Sequence, residues 1–165
     1  MKLFNVVKTD VKDWKILGGK LATRIVLDTD KGISQDGKGT SRDFESYDFK
    51  YAKAKATGNV SVPKELKSVS TDRQVSPPNL RLTGKMLDSI KAQNATKTSV
   101  EILYADGLKV MGNANPPARL KKPRRNIYGL NDKNQKFVED YLAKKMEDSI
   151  LRFVAKDIEI KLELL

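Results

Sequence analysis

The fold is decided by residues 80–130, which read LRLTGKMLDSIKAQNATKTSVEILYADGLKVMGNANPPARLKKPRRNIYGL. Thr83 is a suitable cap for a short helix at about residues 84–92. The apolar side chains of this predicted helix are Met86, Leu87 and Ile90. The first part of the stretch therefore predicts a short amphipathic helix that contributes to the core.

The middle of the same stretch predicts a β-hairpin. Residues 99–104 alternate apolar and polar side chains, as a strand with one buried face does. Asp106 and Gly107 then form a turn signal. Residues 108–111 are the predicted second strand.

Two longer helices flank this unit. Asp10 can cap a first helix at about residues 11–28, with apolar side chains at helical spacing and a Gly18–Gly19 pair that suggests close contact with another element. Its apolar face consists of Trp14, Leu17, Leu21 and Ile25. A second helix begins at Asn131 or Asp132 and continues to about residue 155. Its apolar stripe consists of Phe137, Val138, Tyr141, Leu142, Met146, Ile150, Phe153 and Val154.

The two ends of the chain carry strand patterns. Residues 3–7 form a short apolar run that predicts a strand, although a buried turn would have the same composition. Residues 157–165 alternate strictly and predict a C-terminal strand. That strand would pair with the N-terminal strand, or with a neighbouring chain through an open edge. Its apolar face, a candidate interface between protomers, consists of Ile158, Ile160, Leu162 and Leu164.

Residues 30–79 are predicted to form a flexible loop or arm. Asp36 and Gly37 are a turn signal, and residues 49–56 suit either a short helix or an extended arm. The whole chain, 1–165, is then one α+β domain. We expect a small, mostly antiparallel sheet packed with the two main helices and the short one.

Composition limits the chemistry. The chain has 32 Lys and Arg against 21 Asp and Glu, a net charge of +11, which favours nucleic acid, an anionic membrane or an acidic protein as a partner, or serves only solubility. It has neither Cys nor His, which excludes disulfides and nucleophiles activated by His, and removes the usual zinc ligands. Chemistry based on carboxylates or lysine, such as that of a hydrolase, stays open as an alternative. We expect no enzyme activity, no metal and no cofactor. The polar N-terminus and the lack of a long apolar run predict a chain made in a cytoplasm, without a membrane partner.

A basic run is the main candidate for contact with another molecule. The run lies in a polar, proline-bearing loop and has no acidic residue beside it. It suits the DNA backbone, without preference for sequence, or an acidic ring of protein; a merely solvated loop is the simpler alternative. Its cations are Arg119, Lys121, Lys122, Arg124 and Arg125.

The order of these motifs resembles a known family. Leu82-Thr83-Gly84, then Met86-Leu87 and Asp88-Ser89-Ile90, then a strand, a turn, an Arg-rich segment, Gly129-Leu130 and a helix, is similar to the tail-completion and virion-morphogenesis proteins of tailed bacteriophages. That family's pattern consists of core and turn positions, so it supplies no catalytic residues.

The resemblance implies a structural role. Members are small α+β proteins that form rings, commonly hexamers, at the neck or upper tail, where they complete the tail or join it to the head. By this resemblance we expect a virion protein made in the host cytoplasm, with partners that are copies of itself, other neck or tail proteins and DNA backbone in the channel. The alternative is a basic nucleic-acid-binding module.

Overall fold

The structure is a computed structural model in which part of the chain is described. The described residues are 9–39, 44–61, 64, 71–81, 83–105, 107–114 and 125–162, without the side chains of residues 108 and 152–162. The predicted N-terminal strand, Leu164 and the loop cations Arg119, Lys121, Lys122 and Arg124 lie outside this part.

The chain has an α+β fold. The described elements are the helices α1 (Val11–Asp30), α2 (Phe49–Thr57), α3 (Lys85–Asp88), α4 (Gly107–Ala114) and α5 (Asp132–Leu162), and the strands β1 (Ile90–Gln93) and β2 (Glu101–Tyr104). The two strands are antiparallel, from the pair Ile90–Tyr104 to the pair Gln93–Glu101. This architecture confirms the predicted fold class.

Helix α1 forms where the apolar spacing and Asp10 predict it. Asp10 is the N-cap, and its amide donates to the Asp13 carboxylate at 3.4 Å. The predicted apolar face is buried at Leu17, Leu21 and Ile25. Gly18 permits close contact with the sheet, because a Cβ there would lie 2.6 Å from a Val100 methyl and 2.7 Å from the Ala92 Cβ.

The core joins α1 to the stretch 80–130. Four of its buried members come from that stretch, and they meet α1 and the loop before α2. The cluster consists of Ala22, Ile25, Phe44, Leu87, Ile90, Val110 and Ile127. Burial of these side chains is the main favourable contribution to the stability of the fold.

The predicted hairpin with residues 108–111 is wrong. These residues belong to α4, where Val110 and Ala114, four positions apart, are both buried on one helical face. The partner of β2 is β1. The predicted helix 84–92 is therefore too long: α3 ends at Asp88, and β1 begins at Ile90. Thr96 organises the connecting turn, since its hydroxyl accepts the amides of Thr98 and Ser99 at 3.2 and 3.0 Å.

The predicted C-terminal strand is also wrong for its described part. Ile158, Ile160 and Leu162 lie in α5. The sequence after Asp132 contains no Gly or Pro that would end a helix, and extending an existing helix costs less than starting an unpaired strand. The alternation of apolar residues was a weaker signal than this continuity.

Helix α2 confirms the helical alternative for residues 49–56. The Asp48 carboxylate accepts the Tyr51 amide at 3.1 Å and caps the helix. Gly58, at φ 79°, ends it in the left-handed conformation. The predicted arm at residues 30–79 therefore contains regular structure.

Candidate functional site

The basic loop has a closed base. The amide of Arg125 donates to the Asn113 carbonyl, next to the last residue of α4, at 2.8 Å. The two ends of the segment that carries Arg119, Lys121, Lys122 and Arg124 therefore lie side by side.

Arg125 fastens this base to the body of the protein. Its Nε and Nη2 donate to the Glu45 carbonyl at 3.1 and 2.8 Å, and Nη2 also donates to the Ser46 carbonyl at 3.0 Å. Its guanidinium lies 4.7 Å from the centroid of the Tyr47 ring. Desolvation by burial lowers the pKa of Arg125.

The role predicted for Arg125 needs correction. It is 7% exposed, so it holds the loop in place rather than meeting a partner. Sequence reasoning grouped it with its basic neighbours because the backbone carbonyls that bury it lie about 80 positions earlier.

A second buried cation, Lys55, also lies near the Tyr47 ring. The Lys55 side chain is fully buried; its Nζ lies 5.0 Å from the Tyr47 centroid, donates to Asn79 Oδ1 at 2.7 Å and pairs with Asp72 at 3.1 Å. Desolvation opposes ionisation of Asp72, but the hydrogen bonds from Asn79 and Lys55 outweigh it and lower its pKa. The Tyr47 hydroxyl accepts the amides of Asn79 and Leu80, at 3.3 and 3.1 Å.

These contacts hold four segments of the chain together around Tyr47. The residues before α2, the helix itself, residues 72–80 and the base of the basic loop all meet at Tyr47. The lysine–alanine run of α2 resembled a solvated arm, so sequence reasoning missed Lys55. The available signal was the spacing of Tyr47, Tyr51 and Lys55 by four residues, which places them on one helical face.

A buried polar cluster fixes the start of α5 against α1. Asp28 Oδ2 accepts from Gln35 Nε2 at 3.3 Å, Asn131 Nδ2 at 3.2 Å and Asn134 Nδ2 at 2.8 Å. Asn131 Oδ1 caps α5 by accepting the Asn134 amide at 2.9 Å. Arg24 Nε donates to Asn134 Oδ1 at 2.7 Å. All four carboxamide and carboxylate side chains of the cluster are buried, so it is a structural lock.

Helix α5 also contacts the first turn of α1 near Lys145. The Lys145 ammonium pairs with Asp13 at 2.9 Å, and the Tyr141 hydroxyl donates to the Asp13 carbonyl at 3.4 Å. This hydrogen-bonded pair lowers the pKa of Asp13 and raises that of Lys145. Since Asp13 is in the first turn of α1, the remainder of α5 continues beyond the end of α1 for roughly 25 Å.

The outer half of α5, residues 146–162, has exposed apolar side chains in the part where side chains are described, residues 146–151. Met146 is 46% exposed, Ile150 47% and Leu151 60%. All three are on or beside the apolar stripe that the sequence predicts. The stripe residues nearer the start of α5 are only partly exposed: Phe137, Val138, Tyr141 and Leu142. Exposed apolar side chains that lie together are typical of surfaces that contact another molecule.

A groove of about 360 Å³ lies beside β2. Its lining is mainly apolar and comes from β2, α4, Gln93 at the end of β1 and the exposed Tyr128. Burial raises the pKa of Tyr104, in the lining, to about 12.

Comparison of the chain with protein-family models, with curated proteins and with solved structures gives no match. None of the described helices is long and apolar enough to cross a membrane. Among the described residues, no group of three metal-ligating side chains could hold an ion. The candidate functional surfaces are the base of the basic loop, the outer half of α5 and the groove beside β2.

Proposed function

We propose that this chain is a non-enzymatic structural protein of a tailed-phage virion that forms a ring at the neck or upper tail. There it completes the tail or joins it to the head. The order of motifs in residues 80–130 supports the family, and the exposed surfaces of the structure support an assembling role. The neighbours in this proposal are further copies of the chain, in a hexamer by analogy, and other neck or tail proteins.

The observation that carries the proposal is the outer half of α5. The inner half is capped, locked and paired with α1, whereas Met146, Ile150 and Leu151 are about half exposed. Covering these exposed apolar side chains with a partner lowers the free energy, because it removes apolar surface from water. An isologous contact through this surface would give dimers, and a contact with a different surface of the next copy would close a ring.

The charge of the basic loop also supports a role in assembly. Its closed base holds Arg119, Lys121, Lys122 and Arg124 between residues that the body fixes. A ring of such loops would place positive charge around a channel through which DNA passes, or against an acidic ring of a neighbouring protein.

Electron microscopy of the purified chain, with mass spectrometry of purified phage particles that encode it, tests this proposal. We expect closed rings of uniform diameter, and the chain among the particle proteins at a fixed ratio to other neck or tail proteins. Absence from intact particles, or single molecules alone on the grid, would contradict it.

A nucleic-acid-binding module is the second candidate, favoured by the net charge of +11 and the closed basic loop. Its test is DNA binding as a function of salt, by wild type and by a variant with Arg119, Lys121, Lys122 and Arg124 changed to Gln. If this function is correct, the isolated chain binds DNA and the variant loses most of the affinity and of the salt dependence. Equal binding by the variant would exclude the loop as the contact.

A further inference from the structure

The sheet has an open edge with an apolar groove beside it. In the described part of the chain the sheet contains β1 and β2 only, so β2 has one edge without a strand partner. Along that strand lies the 360 Å³ groove, whose apolar lining includes Ile102, Val110, Met111 and Tyr128. An exposed edge beside apolar side chains is the surface to which an extended segment adds as a further strand.

Residues at the start of the described chain contact the turn between β1 and β2. The hydroxyl of Thr9, the first described residue, donates to the Lys97 carbonyl at 2.6 Å, and Trp14 Nε1 donates to the same carbonyl at 2.8 Å. Lys97 lies in the turn between β1 and β2. Residues 1–8 are therefore attached at the end of the sheet where β2 begins.

We propose that residues 3–7, Leu-Phe-Asn-Val-Val, dock on the open edge of β2 in their own chain as a third, antiparallel strand. The direction follows from the attachment: β2 runs away from the turn, so a segment that lies along β2 and ends at Thr9 would be antiparallel to it. Pairing with the open edge of β1 would be parallel, which is slightly less stable per residue. Five extended residues span about 17 Å and β2 about 13 Å, so the segment is long enough.

The composition of the segment fits the groove. Successive side chains of a strand point to opposite faces, so Phe4 and Val6 share one face, and Leu3 and Val7 the other. Phe4 and Val6 would lie on the face of Ile102 and Tyr104, which contact the core.

This docking would also cover the β2 edge within each copy. An uncovered strand edge pairs readily with another chain, which leads to open-ended association. A closed ring needs surfaces that saturate, so covering this edge would leave the outer half of α5 as the surface that joins copies. The docking itself requires no assembly and can be tested at high dilution.

Engineered cysteine pairs test the proposal, since the chain has no native Cys. The pairs are Asn5→Cys with Leu103→Cys and, to allow for a two-residue difference in register, Asn5→Cys with Glu101→Cys. The matched control is Asn5→Cys with Lys91→Cys, because Lys91 is opposite Leu103 on β1. It would lie two strand spacings from the docked segment, beyond the roughly 7 Å Cα separation that a disulfide spans.

After mild oxidation of a dilute sample, we expect most molecules of at least one β2 pair to form the disulfide within a single chain. We expect the control pair to stay reduced. Failure of both β2 pairs, equal linkage of the control, or disulfides that only join two chains would overturn the proposal.

Hydrogen exchange gives an independent measurement. Changing Phe4 and Val6 to Ser should remove protection from amides of β2 and leave those of α1 unchanged. The control variant, with Lys2 and Lys8 changed to Ser, should keep this protection. Equal exchange in wild type and the Phe4/Val6 variant would contradict the docking.

Discussion

The two halves of α5 differ in what surrounds them. The inner half begins at a cap made by Asn131, is locked through Asn134 to Asp28 of α1, and ends at the ion pair of Lys145 with Asp13. The outer half, residues 146–162, continues the helix with exposed apolar side chains at Met146, Ile150 and Leu151. The first half is fixed by contacts within one chain, and we propose that a partner covers the exposed side chains of the second.

In our proposal the inner half of α5 stabilises the fold and the outer half joins copies of the chain. Helices of this length, 31 residues or about 46 Å, exceed what one small core can cover. The polar lock fixes the direction of the inner half, and that direction sets where the outer half lies. Variants that act on the lock should therefore affect folding, and variants of the outer half should affect assembly.

The largest expected effect is on the lock. Asn134→Leu should lower the free energy of unfolding by about 3–5 kcal/mol, because Asp28, Gln35 and Arg24 would each lose a buried hydrogen bond. Urea denaturation followed by circular dichroism measures this. Lys133→Leu, at an exposed position of the same turn, is the control and should change stability by less than about 0.5 kcal/mol. Equal effects of the two variants would contradict a structural lock.

The next effect concerns the contact between α1 and the sheet. Gly18→Ala should destabilise the protein by about 1–3 kcal/mol, since the new Cβ would overlap Val100 and Ala92. Gly19→Ala, the matched control, has no atom within 4 Å of its new Cβ and should stabilise α1 by up to about 1 kcal/mol. Thermal denaturation of both variants checks this. A change of the same sign and size in both would show that α1 does not approach the sheet as described.

A smaller effect is expected at high pH. Burial raises the pKa of Tyr104 to about 12, above the ordinary value for tyrosine. Its contribution to stability is therefore complete below about pH 10 and is lost as the pH rises towards 12. Between pH 9 and 11 we expect wild type to lose about 1 kcal/mol more than Tyr104→Phe, measured by urea denaturation. An equal loss in the two proteins would contradict burial of this hydroxyl.

The smallest effect on folding is expected in the outer half of α5. Changing Ile150 and Leu151 to Ser should alter the stability of a dissociated chain by no more than about 0.5 kcal/mol beyond the helix-propensity cost, because both side chains are largely solvated. The control variant, with Lys144 and Glu147 changed to Ser, carries the same propensity cost and keeps the apolar surface. Denaturation of both at high dilution measures this difference. A much larger loss in the Ile150/Leu151 variant would place these residues in the core of the single chain.

Local signals predicted much of the fold, and contacts distant in sequence account for the errors. The spacing of Leu17, Leu21 and Ile25 and the cap at Asp10 identified α1, and the same logic identified the start of α5. By contrast, Asp106-Gly107 is compatible with a hairpin turn and with the start of α4, so burial of Val110 decided between them. The same ambiguity affected residues 157–165, where alternation and helical continuity competed.

The candidate site was less predictable from sequence. The basic loop was visible as a run of cations, but the burial of Arg125 depends on carbonyls and a ring at residues 45–47. The lock of Asp28 with Gln35, Asn131 and Asn134 joins residues up to about 106 positions apart. Polar residues in such a cluster resemble surface residues until the fold brings them together.

The central claim, that the outer half of α5 joins copies of the chain, is tested most directly by light scattering across a range of concentrations. Wild type, the Ile150/Leu151 serine variant and the Lys144/Glu147 serine variant should be compared. The account predicts one defined oligomer for wild type and for the Lys144/Glu147 variant, and a monomer for the Ile150/Leu151 variant. A wild-type monomer at every concentration, or an unchanged oligomer in the Ile150/Leu151 variant, would contradict it.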